Sequence, residues 1–204
     1  MNITDEELLM IEHLTYLNES VASAAKVDFN YINNKYESYT ISQILARFDS
    51  TAIANLEAKG DEPLAAEVSG YEWAQIIKYL QNNTRLNKLV LTETMETPKG
   101  VPLALCFTDG TPDTREAIIA FKGTTGGDEW SDNVEGAILR DTPDQIEALE
   151  FVQGLPYADI TLTGHSKGGN KANYITILCD KVTRCVGFDP QGFSQLFLND
   201  PKYS

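Results

Sequence analysis

The sequence predicts an α/β fold: a mostly parallel sheet with an antiparallel hairpin at its N-terminal side and a helical extension before it. Three observations carry this expectation. Apolar positions recur at helical spacing through residues 1–84, the pattern changes to strand-like alternation from Leu89, and after Glu116 short apolar strands alternate with helices. The expected division is a helical segment over 1–84 packed on an α/β core over 85–204.

The helical part opens on Thr4-Asp5-Glu6-Glu7, which has the form of a capping box, followed by an apolar stripe of Leu8, Leu9, Ile11, Leu14 and Leu17. Ile41, Ile44, Leu45 and Phe48 form a second helical pattern, and Trp73, Ile76, Ile77 and Leu80 a third. Tyr31, Tyr36, Tyr39 and Tyr71 accompany them. Packing against the next layer is their expected role, and lining a substrate groove is the alternative.

Leu89-Val90-Leu91 leads into alternation through Thr97, Pro98-Lys99-Gly100 supplies a turn, and Val101 to Phe107 returns, which together read as a hairpin. After the turn signal Asp109-Gly110, Glu116 to Phe121 is a short apolar strand of the kind buried on both faces. A helix is expected from Asp128 through Leu139. Another opens at Asp141 or Thr142 with Pro143 behind it and carries Ile146, Leu149 and Val152. Val182 to Phe188 is the last expected strand. Loops after parallel strands are where ligands bind in such sheets, so those beginning near Gly123, Gly164 and Asp189 are expected to converge.

A net charge of −14 and a sequence pI near 4.5 argue against nucleic acid or an anionic membrane as the main partner, because phosphate would repel this surface. The first residues lack the basic region and apolar run of a signal peptide, and no segment reaches the length of a membrane helix, so a cytoplasmic location is the default expectation. Cys106, Cys179 and Cys185 sit in apolar stretches without C-x-x-C spacing and read as buried free thiols. With only His13 and His165, neither a structural metal nor a cofactor is expected.

The chemistry concentrates between Asp159 and Cys179. Ile160 and Leu162 alternate with polar neighbours as in a strand, and Ala172, Ile175 and Leu178 then recur at helical spacing. Between them Gly164, Ser166 and Gly168 form G-x-S-x-G, the nucleophile elbow, whose strained turn needs glycine two residues either side of the serine. The alternative is a Gly-rich connection whose serine only caps the helix. An elbow serine needs an oxyanion hole, a general base and usually an acid that orients the base. The hole would use the N–H of Lys167 and a second N–H from the loop at Gly123-Thr124, which could otherwise be a plain strand-to-loop turn. Gly164 to Gly169 has the glycine spacing of a P-loop, but Asn170 stands where lysine is required and Ala172 offers no hydroxyl. Asp128, Asp132 and Glu135 lack the spacing and central glycine of a calcium loop.

Phe121-Lys122-Gly123-Thr124 followed by Glu129-Trp130-Ser131-Asp132-Asn133 resembles the F-R-G-(S/T) … W-x-x-D pattern of class 3 lipases, the fungal-type triglyceride lipases. The Gly164 to Asn170 elbow, with His165 in its variable position, and the Phe188-Asp189-Pro190-Gln191-Gly192-Phe193 turn are closer to a family of uncharacterised bacterial α/β-hydrolases related to those lipases. The resemblance covers most of the chain and is strongest from Ile118 to Phe193. It implies an α/β-hydrolase-like sheet, Ser166 as nucleophile, Thr124 and Lys167 as oxyanion residues, and Trp130 and Asp132 as supports of the loop. Asp189 ends the strand after the nucleophile helix, an acid position in pancreatic-type lipases, whereas class 3 lipases place theirs one strand later. The alternative for Asp189 is a carboxylate capping the turn around Gly192.

In this fold the histidine follows the acid, and no histidine follows Ser166. His165 adjoins the serine in a geometry wrong for taking its proton, and His13, beside the apolar stripe of the first helix, is the lesser alternative for the base, since unrelated triads use other chain orders. The expectation is a chain truncated before the strand that delivers the base. The function expected is a serine carboxylester hydrolase, lipase- or esterase-like, acting through an acyl-Ser166 intermediate on a small-molecule or lipid ester, with weak or absent turnover in this 204-residue form. A non-catalytic binding protein on the same scaffold, or an acyltransferase using the same serine, are the alternatives.

Overall fold

The computed structural model describes residues 1–31, 35–97, 100–123 and 141–202. Among the described residues five strands form one open sheet in the order β1-β2-β3-β4-β5: β1 Val90–Glu96, β2 Pro102–Thr108, β3 Glu116–Phe121, β4 Asp159–His165 and β5 Val182–Phe188. The expected hairpin is present, with β1 antiparallel to β2 and the Thr97 N–H donating to the Val101 carbonyl at its tip. Pro98 and Lys99 lie outside the described residues. The sheet is more evenly mixed than expected, because β2 also runs antiparallel to β3 and only the β3-β4 and β4-β5 ladders are parallel. The reason lies in the short connection: Asp109 accepts the Thr111 N–H and Gly110 takes a φ of 77°, so the chain reverses directly into β3.

The helices follow their caps. Thr4 and Glu7 close the expected capping box of α1, Asp5–His13. The short α2, Ala22–Ala25, precedes α3, Ile41–Leu45, α4, Ser50–Glu57, and α5, Gly70–Asn82. Thr142, with Pro143 in the first turn, caps α6, Pro143–Gly154, in the β3–β4 crossover. Helix α7, Lys167–Leu178, forms the β4–β5 crossover, and α8, Gln195–Leu198, follows β5. The helix expected over 128–139 lies outside the described residues.

Helices cover the two faces of the sheet, and the alternation of β3 divides the core between them. Ile118 and Ala120 join Leu105 and Phe107 in a cluster with Leu8, Ile11, Leu14 and Leu17 of the N-terminal segment. Ala117, Ile119 and Phe121 join Ile160, Leu162, Ala148, Val152, Ala172 and Ile175 on the other face. Helix α1 thus lies on the sheet itself, against β3, β4 and β5. Tyr31 and Tyr36 are buried among Phe29 and Phe48, as packing predicts, whereas Tyr39 and Tyr71 are exposed. Ile146 departs from its expected role: it faces outward, and buried Gln145 takes the inward position because its amide finds a partner on α7. All three cysteines are free, with Cys106 and Cys179 buried and Cys185 half-buried. Among the described residues no helix is long and apolar enough to cross a membrane.

Candidate functional site

Residue Ser166 stands between the end of β4 and the start of α7 with φ 53° and ψ −121°, a conformation that L-residues avoid and that stores about 1–3 kcal/mol of strain. Its surroundings hold it there. Its N–H donates to the Phe188 carbonyl over 3.1 Å, and its carbonyl accepts the N–H groups of Asn170 and Gln191 at 3.0 and 3.1 Å. Its side chain makes no capping hydrogen bond to α7. The flanking glycines are required by contact: a Cβ on Gly164 would lie 2.4 Å from the Gly168 carbonyl carbon, and one on Gly168 would lie 2.2 Å from the Phe121 carbonyl oxygen. The turn is therefore pressed against the end of the neighbouring strand.

The parallel register brings the other expected loops to the same end of the sheet, since Phe121 lies beside Gly164 and His165 beside Phe188. Gly123, just past β3, donates its N–H to the Tyr16 hydroxyl over 2.8 Å, and a Cβ there would meet the His165 carbonyl oxygen at 2.6 Å. Thr124, Trp130 and Asp132 lie outside the described residues. Lys167 supplies the first N–H of α7, a group that an α-helix does not itself satisfy, while its ammonium reaches Asp144 on α6 at 3.3 Å. Asp189 is exposed at the end of β5 with a φ of 44°. The turn around Gly192 is held by Asn170, whose amide donates to the Gln191 and Gly192 carbonyls at 3.0 and 3.1 Å. Asn170 in turn accepts from Gln145 at 2.7 Å.

A polar group from α1 and the turn after it lies beneath these strand ends. Glu12 is 1% exposed, and its carboxyl lies against the Tyr16 side chain and the His165 backbone. Desolvation pushes it up to about 8, against the opposing pull of the Tyr16 side chain and the His165 backbone. Its Oε1 has no partner among the described residues. His13, next to it, packs edge-on against Trp73. Its Nδ1 meets the Leu9 carbonyl at 2.7 Å and must donate, because that oxygen only accepts. Burial lowers its pKa against the pull of the Leu9 carbonyl, with His165 adding to the lowering, so the neutral imidazole is favoured.

The structure thus brings Ser166, Gly164, His165, Lys167, Gly168, Gly123 and Asp189 to one end of the sheet. Sequence reasoning missed Glu12, Tyr16, Gln145 and Asn170. Each carried a faint signal as a polar residue beside an apolar stripe, but only tertiary packing shows what it touches.

The sequence profile of the Mbeg1-like family matches residues 82–204, which include the whole sheet and Ser166. No curated protein and no solved structure matches the chain. With more than half of its length covered, the chain belongs to the Mbeg1-like family.

Proposed function

We propose that the chain is a serine carboxylester hydrolase of the lipase or esterase kind, on an α/β-hydrolase sheet related to that of class 3 lipases. The observation that carries this reading is Ser166, held in a strained turn between a parallel strand and a helix N-terminus, with its hydroxyl not used to cap that helix. A serine serving local structure alone would use that hydroxyl as a cap. In the reaction, Ser166 Oγ bonds to the acyl carbon of an ester and the alcohol departs with the serine proton. Water then releases the carboxylic acid and restores the hydroxyl. The Lys167 N–H and, by resemblance, Thr124 stabilise the oxyanion, each donor being worth about 2.7–4 kcal/mol in the barrier. Asp189 is the candidate acid of the site.

Labelling with a fluorophosphonate probe tests the reading. Wild type is expected to label and Ser166→Ala to remain unlabelled. Equal labelling of the two would end it.

A further inference from the structure

The family match begins at residue 82, yet the strand ends that carry Ser166 rest on a helix outside it. One hydrogen bond and one buried carboxyl make this contact specific. The Gly123 N–H donates to the Tyr16 hydroxyl at 2.8 Å, and the buried Glu12 carboxyl lies against both the Tyr16 side chain and the His165 backbone. Tyr16 and Glu12 are each 1% exposed, so water does not compete at this contact. The Lys122 ammonium sits 5.5 Å from the centroid of the Tyr16 ring, on the residue before Gly123. The chain leaving β3 and the residue before Ser166 on β4 are thus joined through two side chains of one helical segment.

We propose that Tyr16 and Glu12 are positioning residues for the Ser166 site: they hold the end of β3 at Gly123 against the elbow at His165 and so set the distance between the Gly123 backbone and the nucleophile. Neither touches the reacting atoms. The proposal rests on the hydrolase reading for its chemistry and on the Gly123–Tyr16 hydrogen bond with the buried Glu12 beside it for its geometry. A positional error of about 1 Å in such a constellation costs on the order of 100-fold in rate, which is why a relay with no chemical step of its own has a kinetic signature. Tyr16→Phe keeps the ring, the packing and the lysine contact, and removes the oxygen that joins Gly123 to Glu12. Glu12→Leu fills the same buried space without a carboxylate and relieves its desolvation, so this variant is expected to remain folded. Glu12→Gln keeps an acceptor for His165 and a hydrogen-bonding group for Tyr16.

Two readouts on the 204-residue chain test this. In the first, the fluorophosphonate labelling reaction is resolved into its maximal rate and its half-saturating concentration, with melting curves in parallel. Tyr16→Phe and Glu12→Leu are expected to lower the maximal rate about tenfold or more with half-saturation unchanged and cooperative melting retained, and Glu12→Gln to stay within about threefold of wild type. Wild-type rates in both folded Tyr16→Phe and folded Glu12→Leu would overturn the proposal. The second readout needs no chemistry: amide exchange by NMR is expected to show Gly123 and His165 protected in wild type, with Gly123 losing protection in Tyr16→Phe. Rapid exchange of both amides in wild type would overturn the relay. If wild type is not labelled at all, the hydrolase reading fails, while the exchange experiment still decides whether the relay exists.

Discussion

Gln145 on α6 donates its side-chain amide to Asn170 Oδ1 on α7 across 2.7 Å, and Asn170 passes its own amide to two carbonyls of the turn after β5. One buried amide thereby connects two helices and the loop that carries Asp189. Gln145 is itself bound at the cap, where Thr142 and Gln145 exchange hydrogen bonds.

Replacing Asn170 by Leu is expected to destabilise the fold by about 2–4 kcal/mol, since it strands the Gln145 donor and frees two turn carbonyls. The double variant Gln145→Leu/Asn170→Leu is expected to cost less than the sum of the two single changes, because each single change already leaves the other amide unpaired. Urea denaturation of the four proteins measures this, and strict additivity would show that the two amides are not coupled.

Gly168 and Gly154 make a matched pair. Gly168→Ala would drive a methyl group into the Phe121 carbonyl, and Gly164→Ala would drive one into the Gly168 backbone. Each is expected to cost about 3 kcal/mol or more, because the obstructing atoms are backbone and cannot rotate away. Gly154, the last residue of α6, has nothing within 4 Å of its would-be Cβ, so Gly154→Ala is expected to be neutral or to stabilise by up to about 1 kcal/mol. Thermal melts of the three variants check the contrast, and a similar melting temperature for Gly154→Ala and Gly168→Ala would contradict it.

Glu12 predicts a pH dependence of stability with a definite sign. Its carboxyl is raised from 4.5 to about 8 by desolvation, so between those values the folded chain binds a proton that the unfolded chain releases. The contribution is complete below pH 4.5 and is lost as pH rises through 8, at up to about 1.4 kcal/mol per pH unit. The charged and titratable groups facing it are His13, whose Nδ1 is 3.6 Å from Oε2, Tyr16 with Lys122 over its ring, and His165 of β4. Urea midpoints measured at about pH 5 and pH 8 are expected to differ less for Glu12→Gln than for wild type. An identical pH response in the two proteins would count against a buried, protonated Glu12.

Much of the fold was legible in the chain because its signals are local. The Thr4–Glu7 and Thr142–Gln145 boxes start helices through contacts three residues apart, Gly110 reverses the chain before β3, and the continuous apolar run from Ala117 to Phe121 requires cover on both faces. The Ser166 turn was legible for the same reason: Gly164 and Gly168 lie two residues away on either side. The antiparallel β2–β3 ladder was less so, because strand direction depends on which edges pair. Ile146 misled because periodicity counts apolarity and cannot register that Gln145 has a buried partner 25 residues away.

By itself the sequence determined the order of the described elements and the strained serine between its two glycines. Tertiary structure alone decided that the helix from Asp5 to His13 lies on the sheet, that the Tyr16 hydroxyl meets the Gly123 N–H across 107 positions of chain, and that Glu12 is buried against the His165 backbone. The physical reason is range. Caps, turns and steric exclusion act over a few residues and leave a pattern in the string. The value of a buried hydroxyl or carboxyl is instead set by partners that only packing supplies.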